Sequence, residues 1–107
     1  MDVKHIYNIN EITKIAMPIA ASYGIGRLYL FGSYARGDAT ADSDIDFLID
    51  DLGSLCGLFE LAGFRLDLEE QFGVSVDVLT VGGLDDDFLA IIQAEEILIY
   101  ESHSLTA

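Results

Sequence analysis

Positive charge is scarce in this chain of 107 residues. Five lysine and arginine residues stand against 19 aspartate and glutamate residues, which gives a formal net charge of −14 at pH 7. A surface with this balance repels a phosphate backbone, so we expect no direct binding of DNA or RNA. The charge favours a basic protein as the partner.

Cysteine and long apolar runs are also scarce. The one cysteine, Cys56, excludes an internal disulfide and is typical of a reducing compartment, where such a residue is most often a small buried hydrophobe. We expect no signal peptide, membrane span or membrane binding, because Glu11, Lys14 and Pro18 interrupt the N-terminal apolar residues. These features predict a cytoplasmic protein.

Helical and strand-like segments follow one another along the chain, and 51% of its residues are apolar. We predict one α/β (α+β) domain spanning residues 1–107, in the order α-β-β-α-β-α-β. The first helix is expected to take Asn10 as its N-cap. The predicted strands are 27–31, a segment from Ile45, 74–80 and the final ILIYE.

Two further helices are predicted. The first runs from a cap at Ser54 to about Phe72, and its expected inward-facing residues are Leu55, Leu58, Phe59, Ala62 and Leu66. The second covers residues 84–94, and its first turn contains three acidic residues that complement a helix N-terminus, namely Asp85, Asp86 and Asp87.

Three aspartates are placed among strand-forming residues. Asp44 and Asp46 share one face of the predicted second strand, because alternate side chains on a strand point the same way. Asp77 lies between Val76 and Val78 in the third strand, where a carboxylate is costly unless it is hydrogen-bonded or binds a metal. If these strands are neighbours, the three carboxylates can hold two Mg²⁺ ions for a displacement at phosphorus.

The Gly32-Ser33 pair ends the first predicted strand. A strand that turns into a helix at this point exposes backbone N–H groups and a hydroxyl to an anion. Glycine allows close approach of a phosphate, and serine adds a donor. Together with the carboxylates, this turn predicts a site for a metal-bound nucleoside triphosphate.

The combined pattern G-S-x10-D-x-D, here GSYARGDATADSDID, resembles the signature of the polymerase-beta-type nucleotidyltransferase superfamily. The short length, the GSYARG form and the VDVLT strand resemble its minimal nucleotidyltransferase (MNT) branch. The resemblance implies a small mixed sheet flanked by helices. It also implies roles for six residues: nucleotide binding by Gly32, Ser33 and Arg36, and catalysis and metal binding by Asp44, Asp46 and Asp77.

The same resemblance implies a substrate and a partner. The chain resembles MNT proteins that act as antitoxins and pair with HEPN proteins, which are helical ribonuclease toxins. The implied activity is Mg²⁺-dependent transfer of AMP from ATP to a tyrosine hydroxyl of the toxin, within a hetero-oligomer. Two alternatives remain open at this point: an antitoxin that only masks its toxin, and an enzyme that modifies a small molecule of the aminoglycoside type. Tyr29, Tyr34 and Tyr100 are expected in the core or at an interface, and Tyr34, inside the motif, is the one of the three expected near the nucleotide base.

Overall fold

Four strands and four helices make up the described part of the chain, which in this computed structural model comprises residues 5–55 and 57–102. They are α1 (Ile9–Ser22), β1 (Arg27–Phe31), α2 (Ser33–Arg36), β2 (Ile45–Asp51), α3 (Leu58–Phe72), β3 (Val76–Thr80), α4 (Asp86–Glu95) and β4 (Ile97–Glu101). The predicted element order is confirmed, with α2 as an added short helix. Cys56, predicted to be a small buried residue, lies outside the described residues.

The strands form one mixed sheet in the order β3-β2-β1-β4. β1 pairs antiparallel with both β2 and β4, whereas β2 pairs parallel with β3. A parallel pair needs a crossover between its strands, and α3 supplies it. The motif residues therefore lie on or next to the two central strands, since Gly32 follows β1 and Asp44 precedes β2.

One face of the sheet packs against α1 and α3. α1 contributes Ile12, Ala16 and Ala20, which are fully buried at a spacing of four residues. The remaining members of this core include alternate strand residues and one face of α3, among them Leu28, Leu30, Ile45, Phe47, Ile49, Phe64, Leu68, Phe72 and Val76. Because successive strand residues point to opposite faces, this core directs Asp44, Asp46 and Asp77 to the other face.

The opposite face is covered in part by α4. Ile92 of this helix is buried against Phe31 and Leu48, and Leu79 and Leu89 pack around them. α4 begins at its N-cap Asp85, whose side chain accepts a hydrogen bond from the Phe88 N–H at 2.8 Å. This smaller core attaches α4 beside the end of β1 that carries the Gly32-Ser33 turn.

The predicted inward face of α3 is wrong. Leu58, Phe59 and Leu66 are exposed by 82%, 96% and 54%, while the buried residues are Phe64, Leu68 and Phe72. The two sets differ by two positions, which is a rotation of about 200° on an α-helix. The helix begins at Leu58 after Gly57, so Leu55 is buried as part of the preceding loop.

The start of α1 also differs from the prediction. The N-cap is Asn8 instead of Asn10, and its side chain accepts from the Glu11 N–H at 2.8 Å. The Glu11 carboxylate in turn accepts from the Asn8 N–H at 2.9 Å, which completes a capping box. The prediction placed the cap within the first turn because both positions hold asparagine.

None of the helices within residues 5–55 and 57–102 combines the length and the apolar composition that crossing a membrane requires.

Replacing Asn8 with alanine tests the position of this cap. We expect Asn8→Ala to lower the free energy of unfolding by about 1 kcal/mol, because the Glu11 N–H loses the Asn8 side chain as its acceptor. Asn10→Ala is the matched control and should leave stability within about 0.5 kcal/mol. Chemical denaturation of both variants checks this, and a larger loss for Asn10→Ala would contradict the observed cap.

Candidate active site

The Gly32-Ser33 turn lies where β1 ends and α2 begins. Gly32 is buried and has φ 77° and ψ −156°, a conformation that favours glycine. A Cβ atom built on Gly32 would also overlap Oδ2 of Asp46. Backbone conformation and close packing therefore both demand glycine, and this residue brings the turn directly against the carboxylate of β2.

Asp46 and Asp77 are direct neighbours across the sheet. They are register partners in the parallel pairing of β2 with β3, so their side chains project from the same face. Asp44 immediately precedes β2 and is exposed, as is Asp77, whereas Asp46 is half-buried. The structure thus brings Asp46 and Asp77 together against Gly32 and places Asp44 at the rim.

The environment of Asp46 disfavours its ionised form. Burial raises the pKa of Asp46 to about 6, and the negative charges of Asp77 and Asp44 and a hydrogen bond with Asp77 act in the same direction. The positive charge of Arg36 partly opposes them. At neutral pH these carboxylates are crowded together without enough positive charge to balance them.

The carboxylates of this site are possible ligands for a metal ion. In the part of the chain that the structure describes, no group of three or more carboxylate, imidazole or thiol side chains is spaced to hold a metal ion. The donors nevertheless suit a hard divalent cation, because Mg²⁺ prefers carboxylate oxygens and would relieve the repulsion that raises the pKa of Asp46. Asp46 and Asp77 are therefore the residues that fit such an ion, with Asp44 beside them.

Arg36 at the end of α2 faces two carboxylates. Its Nε donates to Asp38 Oδ2 at 3.2 Å, and its Nη1 donates to Glu95 Oε2 at 2.9 Å. The same Glu95 oxygen accepts from the Gly32 N–H at 2.8 Å. Sequence analysis did not identify Glu95, because no local pattern distinguishes it from the other acidic residues of α4.

The remaining motif residues take different positions. Ser33 begins α2, is partly buried, and its carbonyl accepts from the N–H groups of Gly37 and Asp38 at 3.0 Å each. Tyr34 was expected near the base, and this prediction is wrong. Its side chain is 5% exposed and belongs to the core on the α1 and α3 side of the sheet.

A cleft of about 480 Å³ opens beside Asp44. Its walls are formed by the loop 41–44, by Glu69 at the end of α3 and by residues 73–75. Among the motif residues, Asp44 lines this cleft. Asp77 is exposed, whereas Gly32 is buried and Asp46 is half-buried.

Sequence comparison relates the chain to known proteins. The profile of the family described as "Nucleotidyltransferase domain" matches residues 9–100. MJ0435 of Methanocaldococcus jannaschii, provisionally named a protein adenylyltransferase, is 42% identical over 77 residues, which is 72% of this chain and 82% of the relative. Protein adenylyltransferase MntA of Thermococcus cleftensis is 32% identical over 79 residues, 72% of this chain and 77% of the relative.

Solved structures share the fold. One, provisionally described as a minimal nucleotidyltransferase, superposes with a TM-score of 0.71 at 28% identity and covers 85% of this chain and 95% of its own. Another is a tri-AMPylated Shewanella oneidensis HEPN toxin in complex with MNT antitoxin, with a TM-score of 0.58 at 18% identity, covering 92% and 74%. The second likeness concerns the fold alone.

Replacing Asp46 tests the electrostatic strain in this site. A raised pKa means that the folded state holds the proton more tightly than the unfolded state, so the stability contribution is lost as pH rises from about 4 through about 6. We therefore expect Asp46→Asn to stabilise the protein, and its gain in melting temperature should be larger at pH 8 than at pH 5.

Thermal unfolding in EDTA at both pH values measures this difference. Asp87→Asn, which removes one exposed carboxylate from the first turn of α4, is the control for the change in net charge. An equal gain for Asp46→Asn at pH 5 and pH 8 would show that crowding of negative charge does not act on this residue.

Proposed function

The chain belongs to the nucleotidyltransferase domain family, as the G-S-x10-D-x-D spacing predicts, and we propose that it transfers AMP from ATP to a tyrosine hydroxyl of a HEPN-type ribonuclease toxin. The names of its relatives support adenylyl transfer to a protein. The AMPylated HEPN toxin found with an MNT antitoxin supports this class of acceptor. In this proposal the modification neutralises the toxin, and ATP and toxin meet in the cytoplasm.

The observation that carries the proposal is the contact between the Gly32-Ser33 turn and the carboxylate pair. Gly32 packs on Asp46, and Asp46 is the register partner of Asp77. The turn therefore lies directly beside a carboxylate that suits Mg²⁺, and the positive charge of Arg36 is near enough to lower the pKa of Asp46. This adjacency allows one triphosphate to be held from both sides, by N–H and hydroxyl donors and by a cation on the carboxylates.

The transfer makes one bond and breaks one bond. The tyrosine oxygen attacks the α-phosphorus of ATP, a P–O bond forms, and the bond between the α-phosphorus and the bridging oxygen breaks so that pyrophosphate leaves. When bound, Mg²⁺ would neutralise developing charge on the phosphates and lower the pKa of the attacking hydroxyl. The tyrosine proton, whose ordinary pKa is about 10, is transferred to the carboxylate of Asp77.

The roles of the remaining residues follow from their positions. Asp46 and Asp77 would hold the cation with Asp44 beside them, and Ser33 would donate to a phosphate oxygen from the start of α2. Arg36 adds positive charge next to Asp46, where it already opposes the rise in that pKa. Each of these groups binds or orients the nucleotide, and Asp77 also acts on the incoming hydroxyl.

The partner is expected to be a basic, helical protein. A toxin that binds RNA presents positive surface, and the net charge of −14 attracts such a surface and speeds association. Asp44, Asp77 and Arg36 are exposed, so a bound toxin can reach them directly. We therefore expect transfer to take place within a hetero-oligomer.

Co-expression with the toxin tests the transfer and the role of Asp77. Wild type should produce toxin whose intact mass is increased by one or more AMP groups, while Asp77→Asn should bind ATP and toxin but leave the toxin largely unmodified, because the proton acceptor is lost. Glu70→Gln, an exposed carboxylate on α3, is the control and should modify the toxin as wild type does.

Two outcomes would contradict this account. Equal adducts with wild type and Asp77→Asn would remove the catalytic role of Asp77. A toxin that wild type silences without adding AMP would favour an antitoxin that only masks its toxin, and modification of an aminoglycoside in place of the toxin would favour the small-molecule enzyme.

Removing the divalent cation tests the two-sided grip on ATP. Calorimetric titration with ATP should give an affinity at least about tenfold weaker in EDTA than in Mg²⁺, which corresponds to roughly 1.4 kcal/mol. The reason is that a triphosphate and the Asp44, Asp46 and Asp77 carboxylates repel each other without a cation between them. Undiminished affinity in EDTA would exclude a cation from the binding step.

A further inference from the structure

Glu95, the last residue of α4, contacts two residues of the nucleotide motif. Its position in the sequence, far from the motif, does not suggest these contacts. Its Oε2 accepts from the Gly32 N–H at 2.8 Å and from Arg36 Nη1 at 2.9 Å. The Glu95 side chain is 20% exposed, and its bond with the Gly32 N–H is partly buried. We infer that Glu95 is a positioning residue for the nucleotide: it holds the Gly32-Ser33 turn and Arg36 in the orientation that receives the triphosphate. This inference rests on the proposed function.

The bond to Gly32 continues the sheet beyond the end of its backbone ladder. β1 pairs with β4 as far as Leu30, whose partner is Ile97, the first residue of β4. Gly32 lies two residues after Leu30, just past the end of β1, where β4 has no residue to pair with it. The Glu95 side chain accepts the Gly32 N–H at that point, and it thereby fixes the end of β1 from the β4 side.

Gly32 is therefore held from two directions. Asp46 of β2 packs against its Cα so closely that a Cβ atom would overlap the carboxylate, and Glu95 of α4 takes its N–H. Because this N–H is already bonded, the donors that remain for a phosphate are Ser33 and the groups after it. In this arrangement Gly32 sets the distance between the phosphate-binding turn and Asp46.

The bond to Arg36 reduces the freedom of a long side chain. Arg36 is 49% exposed, and its two contacts use Nε for Asp38 and Nη1 for Glu95, neither of which involves Nη2. An arginine without such partners loses rotamer freedom when it binds a ligand, and prior alignment lowers that cost. Glu95 therefore prepares Arg36 to meet a phosphate.

α4 gives Glu95 a rigid base. Ile92, one turn earlier on the helix, is 1% exposed and packs on Phe31 and Leu48 of the two central strands. The Ile92 carbonyl also accepts from the Glu96 N–H at 2.9 Å, which closes the last turn of the helix. The carboxylate is thus attached to the same strands that carry Gly32 and Asp46.

The sign of a mutational effect distinguishes positioning from simple charge. A carboxylate near a bound triphosphate repels it, so removing Glu95 for reasons of charge alone would strengthen nucleotide binding. Removing a carboxylate that occupies the place of a phosphate would strengthen it as well. Positioning predicts the opposite, because a loosened turn and a free Arg36 bind the nucleotide less well.

Titration calorimetry with ATP and Mg²⁺ on the full chain tests the inference. We expect Glu95→Ala to weaken binding by about tenfold, the scale of one charge-assisted hydrogen bond. Glu95→Gln, which keeps the length and one acceptor oxygen, should lose less. Glu95→Asp keeps the charge but is one methylene shorter, so its loss should approach that of alanine. Glu70→Gln is the control for removal of one surface charge.

A double-mutant cycle separates positioning from general stability. Glu95→Ala should weaken binding less in an Arg36→Ala background than in wild type, because one of its two targets is already missing. Exchange of the Gly32 amide proton, followed by NMR, should become faster in Glu95→Ala. A variant that merely unfolds more easily would show neither coupling with Arg36 nor a change confined to Gly32.

The outcomes assign failure to different claims. Equal or tighter ATP binding by all three Glu95 variants would contradict the positioning role while leaving adenylyl transfer intact. Retained affinity in Glu95→Asp beside a loss in Glu95→Gln would assign the effect to charge and contradict it too. No ATP binding by wild type, even with Mg²⁺, would contradict the proposed function and the positioning role together.

Discussion

Parallel pairing of β2 with β3 sets Asp46 directly beside Asp77, and the candidate site is arranged around these two like charges. Nothing in either strand favours this contact, because burial and repulsion both raise the pKa of Asp46. The register is held from the opposite face, where Ile45, Phe47 and Val76 are buried against α1 and α3. Since a slip of one residue would expose that whole set, the hydrophobic core keeps the carboxylates together.

β1 positions the hydrogen-bond donors. It lies between β2 and β4, so Gly32, which follows β1, borders Asp46 on one side and Glu95 on the other. Arg36, at the end of the short helix α2, donates to the same Glu95 oxygen. Negative groups thus lie on both sides of the Gly32-Ser33 turn.

Charge and exposure act together at the level of the whole molecule. With a net charge of −14, the chain attracts a basic protein more readily than it attracts a free nucleotide. Asp44 and Asp77 are exposed, and Asp44 lines the cleft beside it. A partner that brings positive charge to these exposed carboxylates would offset their repulsion.

Local sequence was sufficient for the features that one element expresses by itself. The alternation that marks Asp44 and Asp46, the glycine-serine turn and the four strands all depend on neighbours within a few residues, and each can be inferred from sequence spacing. Features of a single helix were less secure: α3 turned out to be rotated by two positions, and α1 begins at Asn8. Several registers of an apolar pattern satisfy one helix equally well, and only its packing selects among them.

Contacts between distant elements required the tertiary structure. The sequence indicates that Asp77 is unusual, but its place beside Asp46 follows from the strand order β3-β2-β1-β4. Glu95 lies 63 residues from Gly32 and 59 from Arg36, and no pattern within α4 marks it. The sequence by itself determined the motif from Gly32 to Asp46, because its spacing is local. The tertiary structure decided which of them meet, because the burial of apolar faces from the whole chain sets the order and register of the strands.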